Sequence, residues 1–435
     1  MPPHDGDHHS PPALSSGARI TILAVAFLGW FFGGVQIGMT NLIEGAAVAL
    51  LDQAGWAEGL DEAESSRAID TWFAWLQCGF LFGAAAGGYL FGKLGDRIGR
   101  TRALGISIIW FSALTGLAYF AANPLQLLII RFLACLGVGG CWPNGVALVS
   151  EAWAKVARPV MASLIGLAGN LGIFAFSTLK AYVAKNPEAV GDLGFRWVFL
   201  AGATAAPLGI VILLFVKESP AWLAARHASD NGDAEASSPS TSSVFRKPYL
   251  GVTLVGIALA TVPLFGGWGS FSWILRWAEN PELKANILQT RSVMSIVGSG
   301  LAAVIALKIG RRTTYFGSAL AALLVSQYIF WFAAPADGNF LLWVALWGFF
   351  NGIFFGWLPF FLPELFETKI RATGAGVSFN YGRILTASFI FLTPALMQIF
   401  DSNHQHVGRV TSLVFLLGMI AILFAPDTSK RNMEE

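Results

Sequence analysis

The residues best placed to do chemistry in this 435-residue chain are isolated charges inside apolar runs. Arg383 stands alone in FNYGRILTASFI (379–390), and Arg131 in LLIIRFLACLG (127–137). A guanidinium is a permanent cation whose planar fork can hold a carboxylate through two parallel hydrogen bonds. A second group of charges sits in short basic turns. GKLGDRIGRTR (92–102) places Asp96 among cations, and Glu151 and Glu364 are each followed seven positions later by an arginine, Arg158 and Arg371. Those spacings suit ion pairs at helix ends. Acids and histidines are missing from the middle of every apolar run. Glu44 and Asp70 come nearest, and the six histidines, at 4, 8, 9, 227, 404 and 406, fall in tails or loops. No nucleophile–base pair, phosphate loop or metal set emerges, so an enzyme is not expected, and neither is a cofactor or bound metal. His4, His8 and His9 lie in a polar, Pro-rich stretch read as a tail. Cys78, Cys135 and Cys141 lie in apolar segments and read as small packing residues.

The elements that must carry these residues are membrane helices. The chain is 55% hydrophobic and 12% charged, with a mean hydropathy of +0.61, well outside the soluble range. A spanning helix needs about 20 mostly apolar residues. Twelve such stretches begin near residues 19, 71, 103, 124, 160, 196, 250, 292, 313, 339, 372 and 409. Their continuous apolar runs are too long for the alternating strands of a barrel. With both termini cytoplasmic, the inner segments hold 18 of the 28 Lys and Arg residues, which satisfies the positive-inside rule. The stretch MPPHDGDHHSPPALSSG lacks the basic n-region and small-residue cleavage site of a signal peptide and reads as a disordered tail. A net charge of +2 gives no reason to expect nucleic acid.

The chain divides in two. ASDNGDAEASSPSTSS (228–243) is a Ser-rich linker with almost nothing to bury. The expected organisation is a tail (1–18), a six-helix bundle (19–217), a cytoplasmic linker (218–249), a second six-helix bundle (250–425) and a tail (426–435). The halves repeat: EAWAKVARPVMAS from Glu151 aligns with ELFETKIRATGAG from Glu364, and the same offset carries Arg158 to Arg371 and Gly169 to Gly382. Two six-helix halves about a central linker mark a transporter whose site lies between them.

The motifs then resemble the major facilitator superfamily. GKLGDRIGRTR is similar to that family's loop after the second helix, with Gly92, Asp96, Arg97, Gly99 and Arg100 in the matching places. RFLACLGVGGCWPNG (131–145) and LPELFETKIRATGAGVSFNYGRI (362–384) resemble segments of its metabolite:proton symporter branch, which carries sialate, lactate and aromatic-acid transporters. KESPAWL (217–223) is similar to a motif shared with sugar porters. The resemblance implies an all-α membrane protein, twelve transmembrane helices in two pseudo-symmetric bundles, working by alternating access. It also implies an inner gate built from Asp96 and Arg100 with the pairs Glu151–Arg158 and Glu364–Arg371. Two departures bear on coupling. FFGGVQIG (31–38) puts Gly33 and Gln36 where the branch has first-span acids, and GGCWP has Cys141 in place of a glutamate. Proton coupling is therefore in doubt, with Glu44 and Asp70 the remaining candidate proton sites.

Depth along the helices singles out Arg383, about eleven residues into its span, or roughly 16 Å from the surface. A charge there is costly without a wet cavity or partner. The economical partner is an anionic substrate; hydrogen bonds to backbone carbonyls of neighbouring helices are the competing reading. Asn170 is the repeat mate of Arg383, and Asn380, Gln36, Asn144, Asn351, Tyr381, Trp268 and Arg131 complete the expected substrate-binding set. The expectation is a monomeric membrane transporter of a small organic anion, a monocarboxylate or sugar acid, in the inner or plasma membrane. A facilitator of a neutral sugar or polyol, or a sensor built on a transporter fold, is the alternative.

Overall fold

The computed structural model describes residues 14–56, 58–152, 158–219, 222–224, 226, 241–278, 280–367, 370–401 and 403–428, without the side chains of residues 44, 63, 150, 158–163, 241–242 and 371–372. It is all-helical over these residues. Twelve helices are long and apolar enough to span a membrane: Ser16–Asn41, Glu64–Ile98, Arg100–Phe120, Pro124–Val149, Leu164–Lys185 and Gly191–Phe215, then Leu250–Trp277, Pro281–Ile309, Arg311–Phe332, Phe340–Glu364, Thr373–Ile399 and His404–Leu423. They are called spans 1 to 12. Helices satisfy every backbone hydrogen bond within the segment, which an apolar solvent requires. Twelve crossings bring the first and last spans to the same face, called here the termini face.

Two spans begin earlier than hydropathy alone indicates. The helix carrying span 2 starts at Glu62, because Asp61 and Glu64 form a reciprocal capping box. Span 8 starts at Pro281 and not near residue 292: Asn280 caps it by accepting from the Leu283 N–H, and proline fills the first position. Its first turns, PELKANILQTR, are too polar for a hydropathy window. This earlier start places Arg291 in a buried helix and not in a loop.

The repeat is visible in the backbone. Spans 2 and 8 both end on a glycine in a conformation open only to glycine, Gly99 at φ 108° and Gly310 at φ 92°. Gly169 of span 5 packs on Gly34 and Trp30 of span 1, and its mate Gly382 of span 11 packs on Ala260 and Thr261 of span 7. Within each half, glycines press directly against carbonyls of the partner helix. A methyl group at Gly87 would strike the Leu136 carbonyl, at Gly139 that of Ala84, and at Gly172 that of Phe31; Gly298, Gly352 and Gly356 do the same between spans 8 and 10. Small residues allow this approach, and dispersion between backbones then holds the pair. The halves meet along two seams, span 2 against span 11 and span 5 against span 8. Span 7 departs from regular geometry: Pro263 lies inside it, and Gly266–Ser270 forms a π-turn.

Candidate functional site

Arg383 lies on span 11 where it faces span 2, and 5% of it is exposed. Its Nη1 donates to Asn380 Oδ1 at 3.3 Å and, across the seam, to the Ala84 carbonyl at 3.4 Å. Both contacts are long. The guanidinium lies 4.7 Å above the Phe379 ring. No carboxylate pairs with it among the described residues. The backbone-carbonyl alternative is thus realised by one weak bond to Ala84, which leaves most of the donor fork unused. Aromatic pairs close the seam on both sides. Phe379 stacks on Trp142 of span 4, with ring centroids 6.1 Å apart, and Trp142 packs on Trp30 at 4.9 Å. Phe80 of span 2, one turn from Ala84, stacks on Trp268 of span 7 at 4.8 Å. Arg383, Asn380 and Trp268 therefore share one seam.

The other expected substrate contacts divide. Asn170 is buried, and no hydrogen bond joins it to Arg383 or Asn380 among the described residues. Gln36 and Arg131 are occupied with each other inside the first bundle. Arg131 Nη1 donates to Gln36 Oε1 at 2.7 Å and Nη2 to Thr40 Oγ1 at 2.9 Å, while Gln36 Nε2 donates to the Gly202 carbonyl at 2.8 Å. Neutral oxygens satisfy this buried cation. Asn144 donates to the Phe91 and Gly140 carbonyls and fills the gap left by Gly95, which places it at the termini side of spans 2 and 4. Tyr381 points away from the seam: it is exposed, with its ring 5.1 Å from Phe245. Asn351 is buried in the second bundle with neither end of its amide hydrogen-bonded. Beside it lies Arg291, 6% exposed, which hydropathy had left outside the spans. The Asn280–Pro281–Glu282 helix start was the signal that could have found it.

At the termini face, each half builds its own charged cluster. Arg100 pairs with Asp96 at 2.5 Å and with Glu151 at 3.7 Å. Arg311 pairs with Glu364 at 3.4 Å, and Glu364 also accepts from Thr428 at 2.5 Å. The repeat therefore matches Arg100–Glu151 with Arg311–Glu364; the side chains of Arg158 and Arg371 lie outside the described residues. Glu218, in KESPAWL, accepts the Thr101 N–H at 3.1 Å and so caps span 3. Any side chain on Gly99 would collide with that carboxylate. Trp222 donates to the Asp96 carbonyl and Arg226 to that of Arg97, docking the segment after span 6 onto the turn between spans 2 and 3. A methyl group on Gly92 would meet nothing within 4 Å. Burial raises the Glu151 carboxyl above its usual range, and the nearby acids Glu218 and Asp96 push it the same way; Ser219 and Arg100 pull against them.

At the opposite face, polar bonds cross between the halves. Asp70 of span 2 accepts from Arg276 of span 7 through both Nε, at 2.6 Å, and Nη2, and His404 of span 12 approaches the other carboxylate oxygen at 3.9 Å. Lys185 pairs with Glu282 at 2.9 Å, Gln289 donates to Thr178 at 3.0 Å, and Gln77 donates to Ser272 at 2.9 Å. This face is shut. Asp70 is the bridging acid of that closure, and the side chain of Glu44, which begins the short helix Glu44–Gln53, lies outside the described residues.

Two pseudo-symmetric six-helix halves, sealed at one face and meeting at a buried cation, define a membrane transporter of the alternating-access type. Residues 52–389 match the Major Facilitator Superfamily, and the chain belongs to that family. It is a multi-pass transporter of small metabolites and not an enzyme. The cis,cis-muconate transport protein of Acinetobacter baylyi is 26% identical over 397 residues, covering 89% of this chain and 92% of that one. The glucose transporter GlcP of Staphylococcus epidermidis is 28% identical over 400 residues, covering 82% and 85%. Among solved structures, the proton:xylose symporter XylE bound to 6-bromo-6-deoxy-D-glucose superposes with a TM-score of 0.72 at 20% identity, over 97% of this chain and 99% of that one.

Proposed function

We propose that the protein carries a small organic anion, a monocarboxylate or sugar acid, by alternating access, with both termini in the cytoplasm and the opposite face outside. The observation that carries this reading is Arg383. A buried cation about ten residues into span 11, or roughly 15 Å deep, is costly unless it meets charge or a full set of acceptors, and its protein contacts are two long bonds to neutral oxygens. A carboxylate in the seam would supply the missing charge. The flanking Trp142–Phe379 and Phe80–Trp268 stacks supply flat apolar walls suited to a planar unsaturated or aromatic body, consistent with the muconate transporter among the relatives. Asn380 orients the guanidinium. Gln36 and Arg131 belong to the scaffold in this reading, and Asn144 to the inner gate with Gly92, Asp96, Arg97, Gly99, Arg100, Glu151 and Glu364. Coupling to protons through the first span is disfavoured, because the group facing Arg131 is the neutral amide of Gln36.

The test is uptake of a labelled aromatic carboxylate into proteoliposomes with unlabelled competitors. Carboxylates are expected to compete and neutral sugars not, and Arg383→Ala is expected to abolish uptake while Arg383→Lys retains a fraction. Competition by glucose or xylose alone would replace this reading with that of a sugar facilitator, for which the similarity to GlcP is the supporting observation. Accumulation above equilibrium under a pH gradient would show coupling.

A further inference from the structure

We propose that Arg291 and Asn351 form a second anion-recognition point, so that the transported molecule is an organic dianion held at two ends. This rests on the reading of Arg383 as the first anchor, keeps its small organic anion, and replaces the monocarboxylate with a dicarboxylate. Two polar side chains and a glycine from three elements meet at one depth. Arg291 lies ten residues into span 8, Asn351 eleven into span 10 and Gly267 ten from the end of span 7, all counted from the face opposite the termini. At 1.5 Å per residue each is about 15 Å deep. Spans 8 and 10 touch at this level: a methyl group on Gly348 would come within 2.5 Å of the Arg291 carbonyl. The side chains converge on the π-turn of span 7, where a methyl group on Gly267 would lie 3.5 Å from Arg291 Nη2 and 3.8 Å from Asn351 Nδ2. Glycine at 267 keeps that spot clear.

What these groups lack is a partner. Nε and Nη1 of Arg291 and both polar atoms of Asn351 are fully buried with no hydrogen bond among the described residues, as is the hydroxyl of Ser270 in the same π-turn. The guanidinium rests 4.8 Å from the Phe271 ring and 5.6 Å from that of Trp347, rings that stack on each other at 4.6 Å. Ring faces stabilise a cation without consuming its N–H donors. Arg131, equally buried, shows how this chain quiets a structural arginine: it surrounds the fork with Gln36, Thr40 and Thr115 oxygens. Arg291 has no such set, although Asn351 stands within reach of the same spot. An arginine fork beside an amide donor matches a carboxylate, whose two oxygens take the fork while the amide completes the shell. With Arg383 at the seam of spans 2 and 11 and Arg291 between spans 7, 8 and 10, the two cations are carried by different helices, an arrangement for two separated negative groups.

The experiment measures equilibrium binding and thermal shift on the purified full-length protein with two matched pairs, hexanoate against adipate and benzoate against terephthalate. A second charge-assisted contact corresponds to roughly tenfold or more in affinity, so at least one diacid is expected to bind about ten times more tightly than its monoacid. Arg291→Gln is expected to erase that preference while the monoacid still binds, and Arg291→Lys to keep part of it. The ligand-free glutamine variant is expected to melt no lower than the parent, since a neutral amide replaces a buried cation; this separates lost recognition from lost folding. Equal binding of monoacid and diacid by the parent overturns the proposal and leaves the Arg383 reading intact. So does a diacid preference that survives Arg291→Gln. Failure of all four anions to bind overturns both.

Discussion

Replacing Asp70 by asparagine should open the face that the structure shows closed. Asp70 and Arg276 sit on opposite halves, 4% and 7% exposed, and their contact exists only while that face is shut. Arg276 gives Asp70 two charge-assisted bonds, one at 2.6 Å from Nε and a second from Nη2. Bonds involving a charged group contribute about 1.5–3 kcal/mol each, and an asparagine oxygen can still accept one such bond from the guanidinium. The net loss is then about 1.5–3 kcal/mol, or roughly 10- to 150-fold in the closed-to-open ratio. The exposed Lys185–Glu282 pair beside it contributes about 0–1 kcal/mol and can be sacrificed. Spin labels at Lys185→Cys and Glu282→Cys would report the gap by pulsed dipolar spectroscopy, and the native cysteines Cys78, Cys135 and Cys141 are buried away from the label. Against the same labels on an unaltered background, Asp70→Asn should shift the distribution to longer distances. Arg276→Gln should do the same, and the double variant should add little, because the two side chains act through one contact. A distance distribution unchanged by Asp70→Asn, or additive effects in the double variant, would refute the reasoning.

Three further outcomes can be checked separately. Gln36→Glu places a titratable acid against Arg131, and the pH profile of uptake should differ from the parent's; an unchanged profile would show that this position does not couple. Gly99→Ala forces a side chain into a backbone region closed to it and into the Glu218 carboxylate, at a cost of about 1–3 kcal/mol, so its melting temperature should fall, while Gly92→Ala, in open space, should be neutral or stabilising. Glu151 has its carboxyl raised by burial, so the folded protein binds more protons than the unfolded chain above the usual value of 4.5; stability should fall as pH rises through that window, and Glu151→Gln should flatten the slope of thermal unfolding against pH.

Much of the fold was legible because its signals are local. Continuous apolar runs gave twelve spans, and the Glu151 and Glu364 segments gave the repeat that Gly99 and Gly310 then display in the backbone. The site was less legible for two reasons. Hydropathy weighs a residue by its type, so the polar first turns of span 8 hid a helix whose Asn280 cap and Pro281 were in plain view, and Arg291 went with them. Depth fixes only one coordinate, and it could not tell that Gln36 and Arg131 turn towards each other while Tyr381 turns outward. The pairing of Arg100 with Glu151 had the same character: the charges were evident, but the partner came from another helix.

The glycine-to-carbonyl contacts of spans 1 with 5, 2 with 4 and 8 with 10 have a consequence for how such a protein can change. Backbones in direct contact leave no slack, so each half behaves as a stiff lever, and an added methyl group there has nowhere to go. Between the levers, the ring stacks and several polar bonds are made by side-chain tips: Trp142 on Phe379, Phe80 on Trp268, Gln77 on Ser272. Selection can therefore retool the cargo or the latch at those tips one residue at a time, while the machinery that moves them is inherited whole.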